Sequence, residues 1–456
     1  MKRECPVTLH QQYEIAIRSL GHSGEGVGSK DDFTVFIPGA LVGEVVLAKI
    51  TLVKKNYAVG SLVRVIAPSE ERVEPICPIY EACGGCQLQH LSYDGQLIAK
   101  RQQVVDALQR IGKQTALTVH PTLGALSPWL YRNKMQFPVG EKKGRTIIGC
   151  YAKGSHDIIA TENCHIQMDA NNHIAQAASK ILTELKIPAY REKDDRGVVR
   201  HIIGRVGAGG QAMAVIVTKT KTLPKAEEFV TRLREEVPAL VSIMHNINPK
   251  RTNVILGQET HCLWGQKTIQ DGIGKLMFDI SAQSFFQVHT AQADVLYQKA
   301  LAYADLNGNE TVIDAYCGTG TISLFLAQKA KKVYGIEIVA PAIRDAKKNA
   351  EANRITNAEF LVGDAVEVMP RLYEQGVRAD VVVVDPPRSG CDQIVLETFA
   401  RMNPERIVYV SCNPASLARD IAVLAELGYR AEEVQPVDMF PQTSHVESVA
   451  LLRRAK

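Results

Sequence analysis

The sequence lacks the features that would place it in a membrane or in a secreted protein. No segment of the 456 residues approaches the unbroken apolar length of a membrane span, and Met1 to Pro6 lack the apolar core of a signal peptide. We therefore expect a cytoplasmic protein. A strong charge imbalance is also absent, since the net charge of +4 permits a nucleic-acid partner without requiring one. With 46% hydrophobic and 22% charged residues, the chain suits an ordinary globular protein of roughly two to four domains.

A disulfide framework is not expected either, because the cytoplasm keeps thiols reduced. The ten cysteines are unevenly spread, and three of them, Cys77, Cys83 and Cys86, fall within ten residues. Clustering of this kind in a cytosolic chain indicates metal binding or catalysis.

The first 67 residues alternate short apolar runs with turn signals. Tyr13–Ile17, Thr34–Ile37, Glu44–Ile50 and Tyr57–Ile66 are typical of strands, whereas the segment from Gly21 to Gly28 holds four glycines and indicates turns. About five short strands in so few residues predict a small OB-like β-barrel, a fold that often binds oligonucleotides. The candidates for phosphate contacts and a stacking surface are Lys49, Lys54, Lys55, Asn56 and Tyr57, although an exposed lysine-bearing hairpin explains them equally well.

The cysteine cluster follows a polar linker and opens the second predicted domain, residues 68–275. Cys77, Cys83 and Cys86 can converge on one metal centre, and Cys164, in a polar turn, is the candidate fourth ligand. Thiolate ligands suit zinc or an iron–sulfur cluster. The spacing of five residues and then two differs from the paired Cys-x-x-Cys knuckles usual for zinc, so we favour a four-iron cluster, with zinc as the alternative.

The remainder of this domain predicts mixed α and β structure. A helical period runs over residues 92–111, and we expect this helix to pack on the C-terminal domain. From Pro128 to Tyr151 basic residues alternate with aromatic ones, a pattern that suits unpaired RNA or, equally, a solvated hairpin. Val198–Val206 and Met213–Thr218 are typical of strands.

Strictly alternating strands and helices from about residue 276 to 456 predict a doubly wound parallel sheet, the Rossmann-like class of fold. Its first strand ends in a turn containing Gly318 and Gly320, its second in Glu337 and its third near Asp364. Glycines let a backbone approach a ligand, and Glu337 can bind both ribose hydroxyls. The third glycine of a dinucleotide turn is missing, and Asp364 can reach an adenine amino group. These features favour S-adenosylmethionine over NAD.

The fourth and fifth strands end in reactive groups. The fourth ends at Asp385, which two prolines follow, and the strand Arg406–Ser411 ends at Cys412, followed by Asn413-Pro414. Ligands of open α/β sheets bind at these carboxyl ends, so Cys412 is placed as a nucleophile, with a small buried hydrophobic residue as the alternative.

Together these stretches resemble the bacterial RNA uracil-5-methyltransferase family, and the resemblance spans the chain. The matching signatures, in order, are Ser284-Phe285-Phe286-Gln287, Asp314-Ala315-Tyr316-Cys317-Gly318-Thr319-Gly320, Asp385-Pro386-Pro387-Arg388, Ser411-Cys412-Asn413-Pro414 and His445-Val446-Glu447. The barrel resembles a TRAM domain, and Cys77, Cys83, Cys86 and Cys164 resemble the family's iron–sulfur ligands. Ribosomal RNA members carry both additions, whereas transfer RNA members typically lack both. One departure is His289, where the family usually has asparagine.

The resemblance implies methylation of a uridine in 23S ribosomal RNA. Gln287, Tyr316, Glu337 and Asp385 would bind S-adenosylmethionine, Cys412 would be the nucleophile and Glu447 the base. A thiolate adding to C6 makes C5 carbanion-like, and a base must then remove the C5 proton. Phe285 or Phe286 would fill the stack that an extruded uridine leaves. We expect a monomer with no protein partner and no membrane contact.

Other classes fit less well. A cytosine-5-methyltransferase would have a second cysteine at the position of Pro387, and Cys391 lies further on. An RNA-binding protein without catalysis would not need Asp385, Cys412 and Glu447 together. A radical enzyme expects cysteines spaced by three and then two residues, and here the first gap is five.

Overall fold

The computed structural model describes residues 5–455. These residues form a closed barrel, a seven-stranded sheet, a two-stranded hairpin and an eight-stranded sheet. None of the helices within residues 5–455 is long and apolar enough to cross a membrane.

The N-terminal strands are β1 (Gln12–Leu20), β2 (Gly26–Lys30), β3 (Phe33–Ile37), β4 (Val45–Val53) and β5 (Tyr57–Ala67). They close in the order β1-β2-β3-β5-β4 around fully buried Ile15, Val35 and Val46, which confirms the predicted barrel. Strand β2 lies in the segment that the sequence assigned to turns. A Cβ atom at Gly28 would lie 2.4 Å from the Ile15 side chain, so glycine is needed there for close strand packing.

The next two elements are α1 (Tyr93–Arg110) and β6 (Thr118–Val119). Although they precede the central sheet in sequence, α1 packs on the C-terminal sheet and β6 is its edge strand. Val104 and Leu108 of α1 are buried in a core shared with the strands of that sheet.

The central elements are β7 (Lys134–Lys142), β8 (Arg145–Tyr151), β9 (Ile158–Ala160), α2 (Asp169–Glu184), β10 (Val199–Val206), β11 (Ala212–Thr218), α3 (Ala226–Glu236), β12 (Leu240–Ile247) and β13 (Glu259–Gly265). The sheet has the order β13-β12-β11-β10-β7-β8-β9, with α2 and α3 packed on its core. The predicted strands at Val198–Val206 and Met213–Thr218 are confirmed to within one residue.

A hairpin links this sheet to the C-terminal one and consists of β14 (Thr268–Ile273) and β15 (Leu276–Ser281). The C-terminal helices are α4 (Thr290–Ala304), α5 (Thr321–Ala327), α6 (Ala340–Ala352), α7 (Ala365–Glu374), α8 (Gln393–Met402) and α9 (Pro414–Glu426). The C-terminal strands are β16 (Thr311–Ala315), β17 (Lys332–Glu337), β18 (Ala358–Val362), β19 (Val381–Val384), β20 (Arg406–Ser411), β21 (Tyr429–Val437) and β22 (Glu447–Arg454).

The C-terminal sheet has the order β18-β17-β16-β19-β20-β22-β21-β6. Its first five strands are parallel, as predicted, and β22 runs antiparallel to both of its neighbours. As a result, the carboxyl ends of β16, β17, β19 and β20 meet the amino end of β22 at one edge of the sheet.

Candidate active site

A cleft of about 1300 Å³ lies along this edge, between the C-terminal sheet and strand β7 of the central sheet. Every S-adenosylmethionine and catalytic residue predicted from the sequence lines it: Gln287, Tyr316, Gly318, Glu337, Asp364, Asp385, Cys412 and Glu447. Open α/β sheets bind ligands in such a crevice.

The turn after β16 gives a ligand access to the backbone. Tyr316 and Gly318 have φ angles of 69° and 55°, and a Cβ atom at Gly318 would meet nothing within 4 Å. At Gly320, by contrast, a Cβ atom would lie 3.0 Å from Ala346 and Phe360. Gly320 therefore allows close packing, whereas Gly318 faces the open cleft, as nucleoside binding requires.

Two carboxylates follow the neighbouring strands. Glu337 accepts hydrogen bonds from Gly318 N at 3.2 Å and Val339 N at 2.8 Å, which fixes its side chain beside the glycine turn. Asp364 caps helix α7 by accepting from Val366 N at 3.0 Å. Each carboxylate has lone pairs left for a ligand. Asp314, the carboxylate that precedes the glycine turn, is fully buried and accepts from Ser323 Oγ at 2.5 Å, so it supports the turn from within the core.

The loop between β15 and α4 supplies the opposite wall. Gln287 and Tyr297 both line the cleft, and the backbone carbonyl of Gln287 accepts from Asn133 Nδ2 at 2.9 Å. Phe285 is 66% exposed and lines the cleft, whereas Phe286 is 5% exposed and belongs to the core. Of the two phenylalanines, only Phe285 is therefore accessible to a base.

Cys412, Asp385 and Glu447 gather at one end of the cleft. Asn413, the residue after Cys412, caps α9 through Ala415 N at 3.1 Å and donates its amide to Arg388 O at 2.9 Å. This pair of contacts ties the Cys412 loop to the Asp385-Pro386-Pro387-Arg388 loop. Glu447 is the first residue of β22, paired beside the end of β20.

The electrostatics of this group are acidic. Burial raises the pKa of Asp385 to about 6. Burial, and then the nearby Asp385 carboxylate, raise the pKa of Glu447 to about 8. Burial followed by the charges of Glu447 and Asp385 raises the pKa of the Cys412 thiol to about 11, while Arg388 lowers it. The Cys412 thiol thus lies within the electrostatic influence of two carboxyl groups.

The predicted metal ligands lie in a second cavity of about 670 Å³, lined by Cys77, Cys83, Cys86 and Cys164. A fifth thiol, Cys150 of β8, lines the same cavity. Cys150 carries no sequence signal for this site because it stands alone among basic and aromatic residues, without metal-ligand spacing. No set of three or more His, Cys, Asp and Glu side chains in residues 5–455 is arranged to hold a metal ion. The predicted iron–sulfur domain is therefore not confirmed.

The two cavities share a wall formed by Arg132, Gln136, Arg388, Phe440 and His445. Strand β7 carries the first basic residues of the Pro128–Tyr151 stretch to the cleft, since Arg132 and Lys134 line it. Lys142, Lys143 and Arg145 instead lie exposed at the tip of the β7–β8 hairpin. The basic and aromatic stretch thus divides into a cleft-lining part and a solvated hairpin.

Comparison with known proteins identifies the family to which the chain is similar. Residues 249–455 match the family model described as tRNA (Uracil-5-)-methyltransferase, and residues 6–63 match the TRAM domain. An uncharacterized RNA methyltransferase of Halalkalibacterium halodurans is 52% identical over 452 residues, covering 99% of each chain. Another, from Bacillus cereus, is 51% identical and covers 100% of this chain and 99% of its own.

Among solved structures, the Pyrococcus abyssi tRNA (uracil-54, C5)-methyltransferase, in complex with S-adenosyl-L-homocysteine, is similar with a TM-score of 0.77 and 28% identity. The match covers 96% of this chain and 99% of that one. The RNA methyltransferases that are 51–52% identical match essentially the whole length of this chain. The chain therefore belongs to the S-adenosylmethionine-dependent RNA (uracil-5-)-methyltransferase family, with an N-terminal TRAM domain.

Proposed function

We propose that the protein transfers a methyl group from S-adenosylmethionine to C5 of a uridine in 23S ribosomal RNA, through a covalent bond between Cys412 and C6. The observation that best supports this proposal is that Cys412, Asp385 and Glu447 line the same cleft as the glycine turn, with both carboxyl groups close enough to shift the pKa of the thiol. One thiol with a neighbouring carboxyl group is the minimum that this reaction needs.

In the proposed reaction, the Cys412 thiolate forms a bond to C6, and the C5–C6 π electrons move into an enolate that makes C5 nucleophilic. C5 then attacks the methyl carbon of S-adenosylmethionine, and the sulfur–methyl bond breaks with its electron pair returning to sulfur, which leaves S-adenosylhomocysteine. Glu447, in its carboxylate form, removes the C5 proton, and the electrons of that C–H bond restore the double bond as the sulfur–C6 bond breaks. Asp385 and Arg388 set the charge around both groups.

S-adenosylmethionine would lie against Gln287, Tyr316, Gly318, Glu337, Asp364 and Asp385, the residues that line the cleft around the glycine turn. Support comes from the open backbone at Gly318 and the fixed carboxylate of Glu337. Phe285 would occupy the stack left by the extruded uridine, because it is the exposed phenylalanine of its loop.

We further propose a [4Fe-4S] cluster held by Cys77, Cys83, Cys86 and Cys164, with zinc as the alternative. The chemistry of the donors fits, since these thiols face one cavity, and mutual repulsion contributes to raising the pKa of Cys86 to about 12 after burial. Bound cations relieve such repulsion. A four-iron cluster separates its ligands more widely than one ion does, which suits thiols that surround a cavity without meeting at a point. When bound, the cluster would bridge the cysteine loop and the turn at Cys164.

The proposed division of the chain is a barrel at 1–67, a central domain at 68–275 and a methyltransferase domain at 276–456. The contacts of α1 and β6 with the C-terminal sheet cross this division. We place the enzyme in the cytoplasm as a monomer, acting where ribosomal RNA is made.

A transfer RNA substrate is the second candidate, because the similar Pyrococcus structure is that of a tRNA (uracil-54, C5)-methyltransferase. The two substrates are distinguished by mapping 5-methyluridine in both RNA classes from cells without this protein. We expect loss of the modification in 23S ribosomal RNA, restored by the wild-type gene and not by the Cys412→Ala variant. Loss confined to transfer RNA would instead establish the second candidate.

A further inference from the structure

The loop that precedes Glu447, residues 438–446 and here called the base loop, is held by distant parts of the chain. All of its residues except Phe440 and His445 are buried, yet it contains no helix or strand. Gln442 adopts a φ angle of 71°, a left-handed conformation that is unfavourable for a non-glycine residue. Such a backbone persists only where its surroundings fix it.

The first support comes from the segment that follows the cluster cysteines. The backbone N–H groups of Gln87 and Leu88 both donate to Gln442 O at 3.0 Å. In return, Ser444 N donates to Gln87 Oε1 at 3.4 Å, and Gln87 Nε2 donates to Gly84 O at 3.0 Å. Gln87 directly follows Cys86, so the cysteine segment, residues 77–88, is fastened to the base loop immediately beside a proposed ligand.

The second support is the Gln96 amide of helix α1, which is 1% exposed. Its Nε2 donates to Leu88 O and to Gln442 Oε1, both at 3.0 Å, while its Oε1 accepts from Gln442 N at 2.9 Å. One amide thus joins the cysteine segment to the base loop. Further along α1, Lys100 Nζ bonds to Asp438 Oδ1 at 2.5 Å and to Phe440 O at 3.1 Å, which fixes the start of the loop.

These contacts converge five residues before Glu447, and they include no contact with the Glu447 side chain itself. We propose that Gln87 and Gln96 are positioning residues that act through Gln442 to hold Glu447 in place for removal of the C5 proton. The cysteine segment therefore sets the rate of the last chemical step, and not the binding of RNA or the attack by Cys412. This inference rests on the proposed function, in which Glu447 is the base.

The expected signature is a selective slowing of proton removal. In Gln87→Leu, which removes the acceptor for Ser444 N, we expect kcat to fall between about tenfold and a hundredfold, the usual cost of misplacing a catalytic group. The KM for RNA stays within about twofold, since RNA-contacting residues are unchanged. The fraction of enzyme covalently attached to RNA rises, because the adduct forms normally and decays slowly.

The test uses three variants of the positioning residues, Gln87→Leu, Gln87→Glu and Gln96→Met. They are compared with Glu447→Gln, which removes the proposed base, and with the control Glu81→Gln, a change at an exposed residue of the cysteine segment. Gln87→Glu keeps an oxygen to accept from Ser444 N, so it restores kcat and lowers the adduct fraction relative to Gln87→Leu. Adducts are counted on denaturing gels with radiolabelled RNA, and kcat and KM are measured on the same preparations. A variant that is only less stable would lose adduct and turnover in proportion.

Adduct accumulation in Gln87→Leu and in Glu447→Gln, reversed in Gln87→Glu, supports the inference. If Glu447→Gln accumulates adduct while Gln87→Leu and Gln96→Met turn over at the wild-type rate, the positioning role alone is overturned. If Glu447→Gln accumulates none, Glu447 is not the base, and the proposed mechanism and this inference both fail.

Discussion

The active-site cleft and the cysteine cavity lie side by side and share a wall, yet they surround their thiols with opposite kinds of neighbour. In the cleft, Cys412 faces two carboxyl groups, Asp385 and Glu447, and one guanidinium, Arg388. In the cysteine cavity, Cys86 faces other thiols, among them Cys83 and Cys164. Both environments raise the pKa of the thiol, to about 11 for Cys412 and about 12 for Cys86.

The same direction of shift therefore has two meanings. In both places burial is the largest cause, and nearby negative charge adds to it. Carboxyl groups beside a single thiol can carry its proton through a reaction, which suits covalent catalysis. Where several thiols lie side by side, as around Cys86, bound cations would relieve the repulsion among their thiolates. The groups around a cysteine therefore indicate its role better than the direction of its pKa shift does.

The largest effect that separates the two regions is expected from Cys412→Ala. Removing the nucleophile should lower methyl transfer by at least about ten thousandfold, while S-adenosylmethionine binding, measured by calorimetry, is retained. Cys262→Ala, at an exposed cysteine of β13, is the matched control and should behave as wild type. Methyl transfer by Cys412→Ala at a normal rate would contradict covalent catalysis.

The converse change is Cys86→Ala in the cysteine cavity. Because four thiolates are required to hold the proposed cluster, anaerobically purified Cys86→Ala should lose most of its iron and acid-labile sulfide, and Cys412→Ala should lose none. Metal analysis of both variants, with zinc measured alongside, provides the test. Stoichiometric zinc without iron in the wild-type protein would contradict the proposed cluster and support a zinc site.

A third prediction concerns the ion pair between Lys100 and Asp438, which holds the backbone at Phe440, a residue that lines both cavities. Lys100 and Asp438 are both fully buried, and Lys100 also binds the carbonyl of Phe440. Lys100→Met would leave the Asp438 carboxylate buried without its cation, so the free energy of unfolding should fall by about 3–5 kcal/mol. Urea denaturation measures this loss. Adding Asp438→Asn removes the stranded charge and should recover part of the stability, whereas no recovery would place the loss outside the ion pair.

The sequence predicted the cleft well because its parts are local. Each reactive residue there follows a hydrophobic strand, and parallel strands present their carboxyl ends at one edge, so Asp385 and Cys412 could be placed from the pattern alone. Glu447 required the resemblance to a family, since β22 runs antiparallel and its first residue reaches the cleft only through sheet order.

Other features depend on contacts between distant segments and leave no local signal. Cys150 reaches the cysteine cavity because Ala152, the residue after β8, forms a bridge with Cys83 of the cysteine loop. The barrel strand β2 is rich in glycine for close packing, which resembles a turn in sequence. His289, the departure from the family pattern, is buried and stacked on Tyr131 with ring centroids 4.5 Å apart, so it supports the loop after Gln287.

The smallest expected effect tests whether the charge of Glu447 raises the pKa of the Cys412 thiol. The Glu447 carboxyl, with a pKa of about 8, is mostly protonated at pH 7 and mostly charged at pH 9, and its charge helps to raise the pKa of Cys412 to about 11. In Glu447→Gln, iodoacetamide should therefore alkylate Cys412 at the wild-type rate at pH 7 and faster than in the wild type at pH 9, because loss of the carboxylate lowers the pKa of the thiol. Peptide mass spectrometry after iodoacetamide treatment resolves Cys412 from the other cysteines, and Cys86 serves as the internal control because Glu447 is not among the charges that shift its pKa. Equal rates at pH 9 would mean that the carboxylate does not act on the thiol, and the pairing of nucleophile and base would then have to be abandoned.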